Sequence, residues 1–245
     1  MHNRTNMKRD YLSASALKSF AKSPNHYLDY VQRKFEPSRA MELGTLIHCL
    51  LLEPNEVKHR YAVAPKVDKR TKAGKEQWAM FEASAGDREI IDQAFYNEAV
   101  TCAEAAKKDA NLQRILSEPF HAEEQLDANL FGFPFTARID LETEGFVYDV
   151  KTCQDASPEG FQRAAYNLDY HLQATIYRLM TGKPFRWIAI ETASPYNVMV
   201  YNQSEEAYER SKARLEKLVK QFVEWDGEPK GYSNEIQTLD LPRWA

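Results

Sequence analysis

The chain has 245 residues, a formal net charge of −4, a mean hydropathy of −0.61 and an apolar fraction of 43%. A chain of this length and composition can bury a core, which excludes an intrinsically disordered protein. Its longest apolar run, residues 49–52, is far too short to cross a bilayer, and residues 1–10 lack the apolar segment of a signal peptide. We therefore expect a cytoplasmic globular protein without a membrane partner. Because the chain is acidic, it can bind nucleic acid only through a local basic patch.

Three helices are predicted within residues 11–52. Serines at the helix starts, and Pro24 at a first helical position, supply the caps of the first two. The third, residues 41–52, has an apolar face, and His48 lies off the centre of that face, one turn after Gly44. A glycine there lets another backbone or a metal site come close. The alternative is a histidine hydrogen-bonded at the edge of the core.

A proline-containing connection is predicted at residues 54–75, and its second half, residues 66–75, carries five cations against a single acid, Asp68. It is the only concentrated positive charge in an acidic chain, so we interpret it as a phosphate-binding loop rather than an ordinary solvated loop. Its cations are Lys66, Lys69, Arg70, Lys72 and Lys75. Helices are predicted next, near residues 76–82 and 87–115, with a purely structural role.

Three short strands joined by hairpins are predicted between Glu124 and Lys151, because apolar and polar residues alternate and turn residues interrupt them. Asp149 and Lys151 are two positions apart and must share a face, and Asp140 ends the neighbouring strand. Carboxylates gathered near a lysine repel one another unless a divalent cation lies between them, and a few oxygen ligands suit Mg²⁺. The lysine would orient a water and stabilise charge on a phosphate. A hairpin with solvated charges and a cross-strand ion pair is the alternative.

Beyond these strands, the patterns predict a helix at about 168–181, strands at 186–192 and 198–203, and a final helix at 204–225. The first of these helices has a buried stripe and a second, polar and aromatic stripe. The buried stripe is Leu168, Leu172, Ile176 and Leu179, and the second stripe is Tyr166, Tyr170, Gln173 and Tyr177. No repeat or linker interrupts the chain.

The order Asp140, then Asp149-Val150-Lys151, resembles the signature of the PD-(D/E)xK nucleases. Other motifs occur in the order seen in RecB-type nucleases. They are Leu12 to Phe20 with Ser23-Pro24, Gly44 to His48, Arg138 to Asp140, and Gln173 with Tyr177. The segments Asp68 to Lys75 and Leu241 to Ala245 are similar to nuclease domains of the exodeoxyribonuclease VIII (RecE) type, which are common in prophages.

This resemblance implies an α/β, restriction-endonuclease-like fold, with a central mixed sheet of about five strands flanked by helices. We expect a single domain over residues 1–245. Its parts would be N-terminal helices 11–52, the basic loop 54–75, a catalytic core 120–203 and the C-terminal helix 204–225.

The resemblance also implies the roles of individual residues. Lys151 would position the attacking water, and Gln173 and Tyr177 would line the cleft. The family places one more acid upstream; Glu123 and Glu124 both fit the spacing, and we favour Glu124. The ligands of one or two Mg²⁺ or Mn²⁺ ions would be His48, Asp140, Asp149 and the carbonyl of Val150.

The implied activity is metal-dependent hydrolysis of DNA phosphodiester bonds. A relative of exodeoxyribonuclease VIII would digest linear double-stranded DNA processively from free ends, leaving single strands for recombination. A ring-like homo-oligomer and a single-strand annealing protein are the expected partners. Some RecB-type relatives hold an iron–sulfur cluster through four cysteines; here Ser23 occupies the first position and Cys153 is the last cysteine, so we expect none. The alternatives are a structure-specific or single-strand DNA nuclease and a non-catalytic DNA-binding recombination scaffold.

Overall fold

The computed structural model describes residues 8–232 and 235–238. The helices are α1 Ala14–Lys22, α2 Pro24–Gln32, α3 Arg39–Leu52, α4 Val57–Arg60, α5 Lys72–Ala85, α6 Gln93–Ala106, α7 Ala110–Ser117, α8 Pro158–Asn167, α9 Tyr170–Thr181 and α10 Glu205–Glu224. The strands are β1 Tyr61–Val63, β2 Glu89–Ile91, β3 Phe120–Leu130, β4 Phe133–Thr143, β5 Val147–Cys153, β6 Phe185–Glu191 and β7 Val198–Asn202. None of the described helices is long and apolar enough to cross a membrane. The predicted motif at 241–245 lies outside the described residues.

The central sheet has the order β3-β4-β5-β6-β7. Strands β5 and β6 pair in parallel, whereas the other neighbours are antiparallel. The parallel pair needs a long crossover, which α8 and α9 supply. The predicted mixed α/β sheet of about five strands is therefore confirmed. A short parallel pair, β1 and β2, forms a separate sheet.

The β3–β4 hairpin closes through two residues, Phe131 and Gly132, whose φ angles are 52° and 81°. Positive φ at both central positions is the backbone of the tight turn that matches strand twist. Helix starts also follow local sequence: the Ser13 side chain accepts from the N–H of Ala16, and Ser23 caps α2 ahead of Pro24.

Apolar side chains cover both faces of the central sheet. One face packs against α1, α2, α9 and α10 and includes Val147; the other packs against α3, α6 and α7 and includes Tyr148 and Val150. Because helices cover both faces, all of residues 147–150 in β5 are buried. Asp149 is thus carried into the interior by the strand that holds it.

Several predicted elements are wrong in detail. The segment 54–75 is not a simple loop, because it contains α4 and β1, and Lys72 and Lys75 lie in the first turn of α5. The predicted helix 87–115 is instead β2, α6 and α7, and the Asp109 carboxylate caps α7 after the break. Leu168 is 55% exposed rather than part of a buried stripe.

Candidate functional site

The site forms where β4 and β5 separate. Their ladder contains only the pairs Leu141–Tyr148 and Glu142–Val147. One step further in this register, Asp140 faces Asp149, but there the strands no longer pair. The N–H of Val150 instead donates to the Asp140 Oδ2 at 2.7 Å. A carboxylate thus takes the place of a backbone acceptor.

On its other side, Asp140 lies level with Glu123, because Ala122 pairs with Leu141 and Glu124 pairs with Ile139. Glu123 itself has a φ of 54°, a left-handed conformation that costs a non-glycine residue roughly 1–3 kcal/mol. Such backbone strain occurs preferentially at functional sites. The register therefore places the Glu123, Asp140 and Asp149 positions side by side on three adjacent strands.

Helix α3 brings His48 to this level. A Cβ on Gly44 would lie 2.9 Å from the Thr152 Oγ1, so the glycine permits the close approach of α3 to β5. One turn later, the His48 Nδ1 lies 3.6 Å from the Asp140 Oδ2. Ligand atoms of His48, Glu123 and Asp140 all lie within 4.8 Å of one another, close enough to share a metal ion.

The structure brings Glu123, not the predicted Glu124, into this cluster. Glu124 is exposed and does not belong to this group of ligand atoms. Asp149 is also absent from the three-residue group, although it was predicted to share the ion. Its carboxylate is held instead by Lys151 and Gln173.

A second set of polar groups surrounds Asp149, whose side chain is 1% exposed. Its Oδ2 lies 2.7 Å from the Lys151 Nζ, and its Oδ1 accepts from the Gln173 Nε2 at 2.9 Å. The Gln173 amide also donates to the Tyr177 hydroxyl at 3.0 Å. Tyr177 in turn donates to the Arg138 carbonyl at 2.8 Å. These contacts fix the positions of Asp149 and Lys151.

Sequence reasoning did not single out Lys18. Its Nζ donates to the Gln173 Oε1 at 3.3 Å and lies 5.4 Å from the centre of the Tyr170 ring. The Lys151 Nζ lies 5.0 Å from the same ring. Burial, and next the charge of Lys151, lower the pKa of Lys18 to about 8, against the opposing effect of Asp149. Lys18 was missed because α1 reaches α9 only through tertiary packing.

The carboxylates of the site are difficult to ionise together. Burial, and next the charge of Asp149, raise the pKa of Asp140 to about 7. Burial and the charge of Asp140 also raise the pKa of Glu123. Burial, and then Lys151, lower the pKa of His48, which leaves a neutral imidazole suited to bind metal. Two acids and a neutral imidazole form a ligand set for a divalent cation.

The five predicted phosphate-binding cations are all exposed, but most have local partners. The Lys69 Nζ lies 2.9 Å from the centre of the Trp78 ring. Arg70 pairs with Asp68 at 2.9 Å, and Lys72 lies 4.0 Å from Glu76. The remaining two are Lys66 and Lys75. Their binding to phosphate stays a prediction.

A helix-flanked mixed sheet, with Asp140 beside an Asp149-x-Lys151 pair, defines the restriction-endonuclease-like class of PD-(D/E)xK proteins. The chain belongs to the family described as PDDEXK-like domain of unknown function (DUF3799), whose model matches residues 13–238. The resemblance inferred from the sequence motifs is thereby confirmed. Among curated proteins, none matches this chain.

The solved structures that are similar to the chain include the following two. The crystal structure of a "putative exonuclease" from Eubacterium rectale has a TM-score of 0.60 and 14% identity, over 89% of this chain and 81% of that one. An alkaline exonuclease (LHK-Exo) from Laribacter hongkongensis has a TM-score of 0.40 and 10% identity, over 88% and 89% of the two chains. At this identity, the first likeness shows that the fold is shared.

Proposed function

We propose that this protein is a metal-dependent nuclease that hydrolyses DNA phosphodiester bonds. One observation carries the proposal: ligand atoms of His48, Glu123 and Asp140 lie within 4.8 Å of one another, next to a lysine held by Asp149. The oxygen-rich set suits Mg²⁺ or Mn²⁺, and the single imidazole favours Mn²⁺ somewhat. A non-catalytic scaffold has no need for buried carboxylates that repel one another.

In this proposal, His48, Glu123 and Asp140 hold one ion. Each oxygen of Asp149 keeps a lone pair beyond the contacts with Lys151 and Gln173, so Asp149 and the carbonyl of Val150 remain proposed ligands, of this ion or of a second. When bound, the ion would polarise water and offset negative charge on the phosphate.

Lys151 would supply positive charge rather than remove a proton. Burial lowers its pKa, but the charges of Asp149 and Asp140 outweigh burial and raise the pKa above the ordinary 10.5. The ammonium group therefore persists at neutral pH and can orient a water and stabilise charge on the phosphate. Gln173 and Tyr177 would keep Asp149, and through it Lys151, in place.

The finer activity that we propose is exonucleolytic digestion of linear double-stranded DNA, processive from free ends, to provide single strands for recombination. The sequence resemblance to exodeoxyribonuclease VIII supports it, as do the exposed cations between Lys66 and Lys75, which would neutralise phosphates. A ring-like homo-oligomer would suit processivity, and an annealing protein would receive the single strand.

The direct test uses end-labelled linear duplex, a nicked circle and a flap, each incubated with Mg²⁺, Mn²⁺ or EDTA. We expect shortening of the linear duplex from its ends with either ion and no cleavage in EDTA. Lys151→Ala should reduce the rate by at least about 100-fold, typical for loss of a group that stabilises the transition state, while DNA binding persists.

Lys183→Ala is the matched control, because Lys183 also forms a 2.7 Å ion pair with a carboxylate, that of Glu142, but lies outside the site. It should cleave at the wild-type rate. Cleavage by Lys151→Ala at the wild-type rate would refute the mechanism. Cleavage of flaps or single strands alone would replace the exonuclease assignment with a structure-specific one.

A further inference from the structure

A second concavity, of about 770 Å³, lies between α1, the α8–α9 junction and α10. Four cations line it against one acid, Asp169. These cations are Lys18, Lys22, Arg210 and Arg214. In a chain of net charge −4, such a concentration indicates an anionic ligand. We call this feature the α1–α10 cleft.

The cations of the α1–α10 cleft differ in their ion-pair partners and in their exposure. Arg214 lies 2.7 Å from Asp169, and this pair anchors the α8–α9 junction to α10. Arg210 pairs with Glu206 one turn earlier in α10, where both side chains are mostly exposed. Such exposed pairs are weak, so Arg210 can exchange its partner for a phosphate. Lys22, at the last turn of α1, is exposed.

The same cleft presents apolar and aromatic surface. Tyr166 is 82% exposed and Leu168 is 55% exposed, and both line the cleft. An exposed ring among cations is the combination on which proteins bind unpaired bases, because the ring stacks on a base while cations follow the backbone. Leu168, which was expected to be buried, is thus exposed as part of the same surface.

Two polar groups of the cleft wall have no internal partner within the described chain. They are the Ser211 Oγ and the His171 Nδ1, both buried. Ser211 as a whole is only 7% exposed. A buried polar atom without a hydrogen bond costs free energy. A phosphate or base that reached the wall could satisfy these atoms.

Lys18 links the α1–α10 cleft to the proposed active site. Lys18 lines the cleft and donates to Gln173, which in turn donates to Asp149. A strand whose phosphate lies at Asp149 and Lys151 would pass Lys18 on entering the cleft. The cleft volume lies in the range of pockets for small ligands, roughly 300–1,000 Å³, which leaves room for unpaired nucleotides.

We propose that the α1–α10 cleft binds a single-stranded segment of nucleic acid next to the phosphodiester at the active site. Lys22, Arg210 and Arg214 bind its phosphates, and Tyr166 stacks on a base. The placement relative to cleavage rests on the proposed function, whereas the binding itself does not.

The test is fluorescence anisotropy of a labelled oligothymidylate in EDTA, where cleavage does not interfere. The double variant Lys22→Ala/Arg210→Ala should bind at least about tenfold more weakly, and the slope of log affinity against log salt should fall by about 1.4, near 0.7 for each phosphate left without its cation. Tyr166→Ala should weaken binding by about fivefold or more.

Two controls match these changes. Lys220 belongs to α10 and pairs with Glu224 one turn away, but does not line the cleft. Phe35 is an aromatic residue that is 58% exposed elsewhere. Lys220→Ala and Phe35→Ala should bind as the wild type does.

Wild-type affinity and salt slope in the double variant would overturn the proposal. A duplex that binds as tightly as the oligothymidylate, and loses the same factor in the double variant, would overturn the assignment to single strands. If the wild type binds through this cleft but never cleaves, the nuclease proposal fails while the cleft stands. If the wild type cleaves DNA but the cleft variants bind the oligothymidylate normally, the cleft proposal fails and the nuclease proposal stands.

Discussion

Replacing Asp140 with asparagine should stabilise the metal-free protein at alkaline pH. Burial, and next the negative charge of Asp149, raise the pKa of the Asp140 carboxyl from the ordinary 3.8 to about 7 in the folded protein. Between these values the folded protein retains a proton that the unfolded chain has lost. Stability from this group is therefore fully present below about pH 4 and is lost as the pH rises through 7.

The magnitude follows from the two pKa values, 3.8 and about 7. At 1.36 kcal/mol per pKa unit, ionising Asp140 in the fold costs about 4 kcal/mol at pH 8. Its side chain is only 15% exposed, so solvent screens little of this cost. Asparagine does not ionise and keeps an oxygen for the Val150 N–H. Asp140→Asn should thus gain up to about 4 kcal/mol, or roughly 8–16 °C in Tm.

Thermal unfolding in EDTA from pH 4.5 to 8.5 measures this effect. The Tm of the wild type should fall relative to Asp140→Asn as the pH rises, and saturating Mn²⁺ at pH 8 should restore it in the wild type only. Asp127→Asn, at an exposed aspartate of β3, is the control and should follow the wild type. An Asp140→Asn protein no more stable than wild type at pH 8, with an unchanged response to Mn²⁺, would refute the reasoning.

Two further substitutions test the geometry. Glu123→Gln should lower the Mn²⁺-induced rise in Tm and slow cleavage at least about tenfold, because replacing even a residue that supports a metal ligand typically costs about 10–100-fold. Glu124→Gln should behave as the wild type does. The opposite pattern would identify Glu124 as the relevant acid. Gly44→Ala, whose Cβ would lie 2.9 Å from the Thr152 Oγ1, should cost about 1–3 kcal/mol through overpacking and slow cleavage by displacing His48. Adding Thr152→Ala to Gly44→Ala should recover both the stability, measured by chemical denaturation, and the cleavage rate. A Gly44→Ala protein with wild-type stability and activity would contradict the close approach of α3 to β5.

Much of the fold was accessible from local pattern. Alternating residues interrupted by turn residues predicted β3, β4 and β5, and the serine caps predicted the starts of α1 and α2. The two-residue turn at Phe131 and Gly132 came from the structure, because the sequence pattern had put the turn at residues 132–134. The spacing of two residues along one strand also placed Asp149 and Lys151 on the same face. The break between α6 and α7 was not foreseen, because the alanine-rich segment has high helix propensity and the Asp109 cap acts within it.

The sequence by itself determined which residues share a face of a strand or a stripe of a helix, because side-chain direction repeats with the local backbone. Only the tertiary structure decided what lies across from them. The register of β3 on β4 placed Glu123 rather than Glu124 beside Asp140. The separation of β4 from β5 left the Val150 N–H to donate to the Asp140 carboxylate. The packing of α1 on α9 brought Lys18 to Gln173. These choices depend on contacts between residues far apart in the chain, which no local pattern encodes.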